Sequence, residues 1–96
     1  MPTPESRIRA PAERLFRAAG FRLVPIQPTS GNGLDEWPDL ILVGTRGRVA
    51  WVEFKAPGER PREGQQFVLD LLRDMGHSVW VVDSSESAAR VFRSLR

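Results

Sequence analysis

The stretch Pro38-Asp39-Leu40-Ile41-Leu42-Val43-Gly44-Thr45-Arg46-Gly47-Arg48-Val49-Ala50-Trp51-Val52-Glu53-Phe54-Lys55 decides how this chain is read. Leu40 to Val43 is a continuous apolar run, the pattern of a strand buried on both faces. Val49 to Lys55 reads as the next strand. Gly44-Thr45-Arg46-Gly47 carries turn signals, so the two strands form a hairpin. Alternation along a strand puts Glu53 and Lys55 on one face. If the loop is the three residues Thr45-Arg46-Gly47, Gly44 faces Arg48, and counting outward Asp39 faces Glu53. A two-residue turn would shift that register by one. Directly opposed residues have Cβ atoms roughly 4.5–5.5 Å apart. Two carboxylates that close repel, and a bound cation turns the repulsion into coordination. Mg²⁺ commonly takes one or two carboxylates, with water and substrate phosphate completing its shell. The backbone carbonyl of Phe54 is a third candidate ligand. Lys55 can orient or help deprotonate an attacking water and offset negative charge building on a phosphate. The plainer reading is a solvated hairpin end. Against it, apolar runs lead directly into these charges, so the charges border the core, where an unpaired charge is costly.

On the N-terminal side, Thr3-Pro4-Glu5 is a helix start, with Thr as cap and Pro in the first turn. Ile8, Ala12, Leu15, Phe16 and Ala19 share a face, and Gly20 is a stop. Pro11 either kinks this helix or restarts it, with Glu13 then in the first turn. Phe21 to Gln27 is a strand, placed at an edge by Pro25. Pro28 to Asp35 is a loop carrying Ser30-Gly31-Asn32-Gly33. On the C-terminal side, Ala56 to Arg60 is a loop. A helix is predicted over Pro61 to Met75, with Val68, Leu71, Leu72 and Met75 as its buried stripe and Phe67 at the stripe's edge. Gly76 ends it. Val79 to Val82 is a fourth strand, and Ser84-Ser85-Glu86 opens a last helix through about Leu95, with Val91, Phe92 and Leu95 inward. The helix between the third and fourth strands makes a crossover, so those two strands are expected to be parallel. The expected architecture is α/β, a mixed four-stranded sheet flanked by helices in the order α-β-β-β-α-β-α. Its 96 residues make a single domain, 1–96.

The net charge is only +2, yet Arg accounts for all the basic residues except Lys55. Arg grips phosphate bidentately, so an Arg-rich surface suits nucleic acid; a codon bias toward Arg is the plainer cause. Either way Lys55 is the exception, at a place where a compact ammonium serves and a guanidinium fork would not. Arg46, Arg48, Arg60 and Arg62, in loops near the hairpin and the candidate site, are candidate phosphate contacts. Ser30 and Gly31 would let a phosphate backbone approach, although a Gly/Asn loop is first of all a turn. Trp37 either stacks on a base or packs. His77 follows a helix stop and reads as a surface residue. The absence of cysteine excludes disulfides and thiolate zinc sites. No apolar run approaches the ~20 residues of a membrane span, so no membrane partner is expected. The N-terminus lacks a signal-peptide core, and the expected location is cytoplasmic.

Pro38-Asp39 followed by Glu53-Phe54-Lys55 resembles the signature of the PD-(D/E)XK nuclease superfamily. The continuation Glu53-Phe54-Lys55-Ala56-Pro57-Gly58, with Gln65 ten residues after Lys55, resembles its VRR-NUC branch. The resemblance implies a restriction-endonuclease-like core and a Mg²⁺- or Mn²⁺-dependent endonuclease acting on structured or branched DNA, of Holliday-junction or flap type. It implies Asp39 and Glu53 as metal ligands, Lys55 as the catalytic lysine, and Gln65 as a site residue on the following helix. Gln65 also lies three and seven residues before Val68 and Leu72, on their buried face, where a polar side chain needs partners. The branch pattern further implies a glutamate on the first helix, best fitted by Glu5, with Glu13 as the alternative. Trp37 stands where the family commonly has Gly, and Pro11 interrupts the first helix. Short stand-alone members imply a homodimer. The competing function is a non-catalytic nucleic-acid-binding or assembly module with the same fold.

Overall fold

The computed structural model describes residues 3–28, 31 and 33–95. Thr3 caps the first helix, α1 (Pro4–Ala18), its Oγ1 accepting the N–H of Ser6 at 3.1 Å. The helix runs unbroken through Pro11 rather than restarting there. Proline removes the N–H that would bond the carbonyl of Arg7. Ala12 and Phe16 are buried from α1, with Ile8, Leu15 and Ala19 packed beside them, as the periodicity predicts.

Strand β1 (Arg22–Pro25) is shorter than the expected span and lies at the sheet edge. Strand β2 (Leu40–Val43) pairs antiparallel with β1 and with β3 (Val49–Phe54); β3 pairs parallel with β4 (Ser78–Val82). The sheet order is β1-β2-β3-β4. Helix α2 (Glu63–Asp74) crosses between β3 and β4, and α3 (Ser85–Leu95) closes the chain.

One face of the sheet carries Leu40, Leu42, Ala50, Val52, Phe54 and Val82 and packs against α1 and α3. The other face carries Trp51, Val79 and Val81, and α2 covers it through Val68, Leu69 and Leu72. Two sequence expectations change here. The β2 run is buried on one face only, because α2 lies over β3 and β4 and leaves Ile41 half-buried and Val43 exposed. The inward stripe of α2 is Gln65, Val68, Leu69 and Leu72, whereas Leu71 and Met75 are exposed with Phe67. Apolar residues cover more than half the circumference of this helix, so periodicity alone does not choose which arc faces the sheet. Among the described residues, no helix is long and apolar enough to cross a membrane.

Candidate active site

The β2–β3 loop is Thr45–Gly47, in which Arg46 and Gly47 both adopt left-handed backbone (φ 60° and 73°). Gly44 bonds back to Arg48 at 2.7 Å. A Cβ at Gly44 would collide with the Phe21 ring, so glycine is needed at the last position before the loop. This three-residue loop fixes the register: Leu40 opposes Val52, and Ile41 opposes Trp51. One step further out, Asp39 stands opposite Glu53. The same register, extended past the end of β3, keeps Lys55 on the Glu53 face.

Asp39 Oδ2 accepts the backbone N–H of Phe54 at 2.8 Å. Lys55 donates its own N–H to Val82 at 3.0 Å. Peptide groups alternate in direction along a strand, so Phe54 turns its amide and carbonyl away from β4, toward Asp39. The carbonyl named as a third candidate ligand is therefore turned to the Asp39 side of β3.

Glu53 is 2% exposed, Lys55 8% and Gln65 6%. Lys55 Nζ lies 3.3 Å from Glu53 Oε2, and Gln65 Nε2 donates to the same oxygen at 2.9 Å. The Oε1 of Gln65 accepts the N–H of Arg62 at the start of α2, at 3.0 Å. Burial pushes the Glu53 carboxyl up from 4.5 to about 7; the charge of Asp39 adds to the rise, Lys55 works against it, and Glu5 raises it further. Glu5 is thus the helix-one carboxylate that Glu53 senses. Glu13 is engaged elsewhere, in an ion pair with Arg9 at 3.2 Å.

The other sequence candidates separate. Arg60 and Arg62 are exposed on the segment that joins β3 to α2, beside the site. Arg62 also pairs with Glu36 at 3.2 Å. Glu36 comes so close to α2 that a Cβ on Gly64 would lie 2.9 Å from its carboxyl carbon. Arg46 and Arg48 do not join this group: they sit on the hairpin loop, five residues along β2 from Asp39, or about 17 Å. Arg48 is occupied there by Thr45, by the backbone of Leu95 and by the ring of Phe21. Gly31 is exposed, and Ser30 lies outside the described residues. Trp37 packs on Trp51, ring centroids 5.7 Å apart, and belongs to the α2 cluster. His77 is exposed at the opposite end of the sheet and accepts from Trp51 Nε1 at 3.2 Å. Two contacts carry no signal in the sequence: Glu36 reaching α2, and Arg9 stacked 5.0 Å above the Phe54 ring.

The donor set suits a hard divalent cation. Two carboxylates and a carbonyl supply oxygen only, the donor type that such a cation takes. Among the described residues no three His, Cys, Asp or Glu side chains cluster, so the carbonyl and water would complete the shell.

The VRR-NUC domain family matches residues 26–86, more than half of the chain and the whole span from Ile26 through the candidate site to the start of α3. A solved structure titled "VRR_NUC domain" superposes with a TM-score of 0.86 at 25% identity, covering 98% of this chain and 99% of that one. No curated protein matches. The fold is of nuclease type, and the chain belongs to the VRR-NUC domain family.

Proposed function

We propose that this chain is a Mg²⁺- or Mn²⁺-dependent endonuclease that hydrolyses DNA phosphodiester bonds, with structured or branched DNA as its substrate. The observation that carries the reading is the Asp39–Glu53 opposition with Lys55 Nζ 3.3 Å from Glu53 Oε2. Asp39, Glu53 and the carbonyl of Phe54 would hold the metal. When bound, such an ion acts as a Lewis acid toward the phosphodiester and lowers the pKa of a coordinated water.

The remaining chemistry belongs to the side chains. Lys55 brings a compact ammonium with three donors to the reacting phosphate and water, offsetting the charge that develops as the water oxygen bonds phosphorus and one ester P–O bond breaks. Gln65 holds Glu53 in place and keeps one of its oxygens occupied. Glu5 adds negative charge on the α1 side, favouring a cation between the elements. Arg60 and Arg62 supply phosphate contacts at the mouth of the site, with Gly31 on the loop before β2 as a further contact. Two copies acting together, as the family resemblance implies, would present one such site to each strand.

The test is incubation with linear, flapped and four-way DNA, with and without Mg²⁺ or Mn²⁺. Metal-dependent cleavage that favours the branched substrates is expected. Binding without cleavage in any metal would favour a non-catalytic DNA-binding module, in which the carboxylate pair is vestigial.

A further inference from the structure

Glu36 and Arg62 meet from two segments that are distant in the sequence. Glu36 Oε2 lies 3.2 Å from Arg62 Nη2. Arg62 directly precedes α2, and its N–H is bonded to Gln65, the side chain that also holds Glu53. The ion pair therefore stands one hydrogen-bonded residue away from the candidate site. Both partners stay open to solvent, Glu36 at 43% and Arg62 at 62% of their side chains. An ion pair this exposed is weak and readily exchanged for another anion.

The backbone that carries Glu36 is anchored on both sides of it. The carbonyl of Leu34 accepts the N–H of Trp37 at 3.1 Å, Trp37 packs on Trp51, and Pro38 is fully buried. The carboxylate can thus leave Arg62 by turning its own side chain, without moving the segment that leads to Asp39. Gly64 keeps room for the contact. It lies in the first turn of α2, and a Cβ there would meet three atoms of the Glu36 side chain at 2.9, 3.0 and 3.1 Å. Glycine is a poor helix former, yet here it is what lets the carboxyl group lie against the helix. Among the described residues, Arg60 forms no ion pair, so of the two arginines beside the site only Arg62 is occupied by a carboxylate.

A carboxylate and a DNA phosphate offer a guanidinium the same kind of partner, an anionic pair of oxygen acceptors. We propose that Glu36 is a built-in competitor of DNA: its carboxylate occupies Arg62 in the free chain, and a backbone phosphate displaces it on binding. Glu36 thereby sets how tightly the chain holds DNA. The inference rests on the reading of Arg62 as a phosphate contact.

The test is fluorescence anisotropy of the full chain with a labelled duplex in EDTA, where no cleavage occurs. Glu36→Gln removes the competitor and is expected to tighten binding roughly 2- to 5-fold, the range that an exposed ion pair commands. Gly64→Ala is expected to do the same with no change of charge, because the new Cβ pushes the Glu36 side chain off Arg62. Alanine suits a helix better than glycine, so α2 should form normally, and an unchanged circular-dichroism spectrum checks this. Both gains are expected to vanish in an Arg62→Ala background and to persist in an Arg60→Ala background. Gains that survive Arg62→Ala would show general charge repulsion instead of competition, and would overturn the proposal. So would Glu36→Gln or Gly64→Ala binding no more tightly than the wild type. Cleavage by a wild type whose affinity Glu36→Gln leaves unchanged would sink this inference alone; a chain that binds no DNA in any of these forms would sink the nuclease reading with it.

Discussion

Gln65 Nε2 donates to Oε2 of Glu53 over 2.9 Å, while the Oε1 of the same side chain accepts the N–H of Arg62. One buried amide thus ties the first turn of α2 to the carboxylate at the end of β3. Replacing Gln65 with Ala strips a donor from Glu53 and an acceptor from the helix start. Leaving such groups unsatisfied costs about 1–3 kcal/mol. The Gln65→Ala variant is expected to lose stability in that range, measured by urea denaturation without metal, and to titrate Glu53 at higher pH than the wild type. A variant with wild-type stability and an unmoved titration would contradict this positioning role.

Stability in the absence of metal is expected to fall as pH rises. The Glu53 carboxyl binds its proton more tightly in the folded chain, at about 7 against 4.5. Its contribution is therefore fully present below about pH 4.5 and is lost as pH passes through 7. The full effect is on the order of 3 kcal/mol. Saturating Mn²⁺ is expected to reverse the slope, because the metal takes the deprotonated carboxylate and releases the proton. Glu53→Gln should flatten the metal-free profile between pH 5 and 8. Thermal unfolding across that range checks both statements; a Gln variant with the wild-type slope would show that another group sets it.

Salt dependence separates the arginines. Arg60 and Arg62 flank the site, whereas Arg46 sits on the hairpin loop at the other end of β2. Each phosphate contact removed lowers the slope of log K against log salt by ~1. Arg60→Ala/Arg62→Ala is expected to lower it by ~2, and Arg46→Ala to leave it unchanged. Fluorescence anisotropy with labelled duplex over a salt series measures this directly. Equal slopes for all three proteins would remove Arg60 and Arg62 from the interface.

Lys55→Arg is expected to cut slowly although it keeps the charge. Lys55 Nζ reaches Glu53 Oε2 from a position only 8% exposed. A planar guanidinium is larger and effectively never gives up its proton. Displacing a reacting group by about 1 Å costs on the order of 10²-fold in rate. Single-turnover cleavage should fall by about that factor while DNA affinity changes little. Equal rates would mean that Lys55 supplies charge alone.

Much of this arrangement is legible in the sequence once the turn is three residues long rather than two, an alternative the structure decides. Thr45-Arg46-Gly47 fixes the register, and the register carries Asp39 opposite Glu53 without any tertiary information. Gln65 is legible as a polar residue on an apolar face. The rest depends on long-range packing. Which arc of α2 turns inward is decided by the sheet beneath it, so Leu71 and Met75 read as core and lie at the surface. Arg46 and Arg48 follow Asp39 closely in sequence, but an extended strand carries them to the far end of the sheet. Glu36 is one residue from Trp37 and shows no pattern, because its partner, Arg62, comes from a helix start that only the fold brings near.

The most direct measurement is single-turnover cleavage of a four-way DNA junction by wild type and Asp39→Asn in Mg²⁺, with Mn²⁺-induced thermal stabilisation followed on the same samples. Asn keeps the shape of Asp39 and can still accept the N–H of Phe54, but it removes the charge that faces Glu53. The expected result is loss of cleavage and of the Mn²⁺ shift, in a chain whose metal-free stability equals or slightly exceeds that of the wild type. Cleavage at the wild-type rate by Asp39→Asn would contradict the assignment of Asp39 and Glu53 as the metal-binding pair of a nuclease.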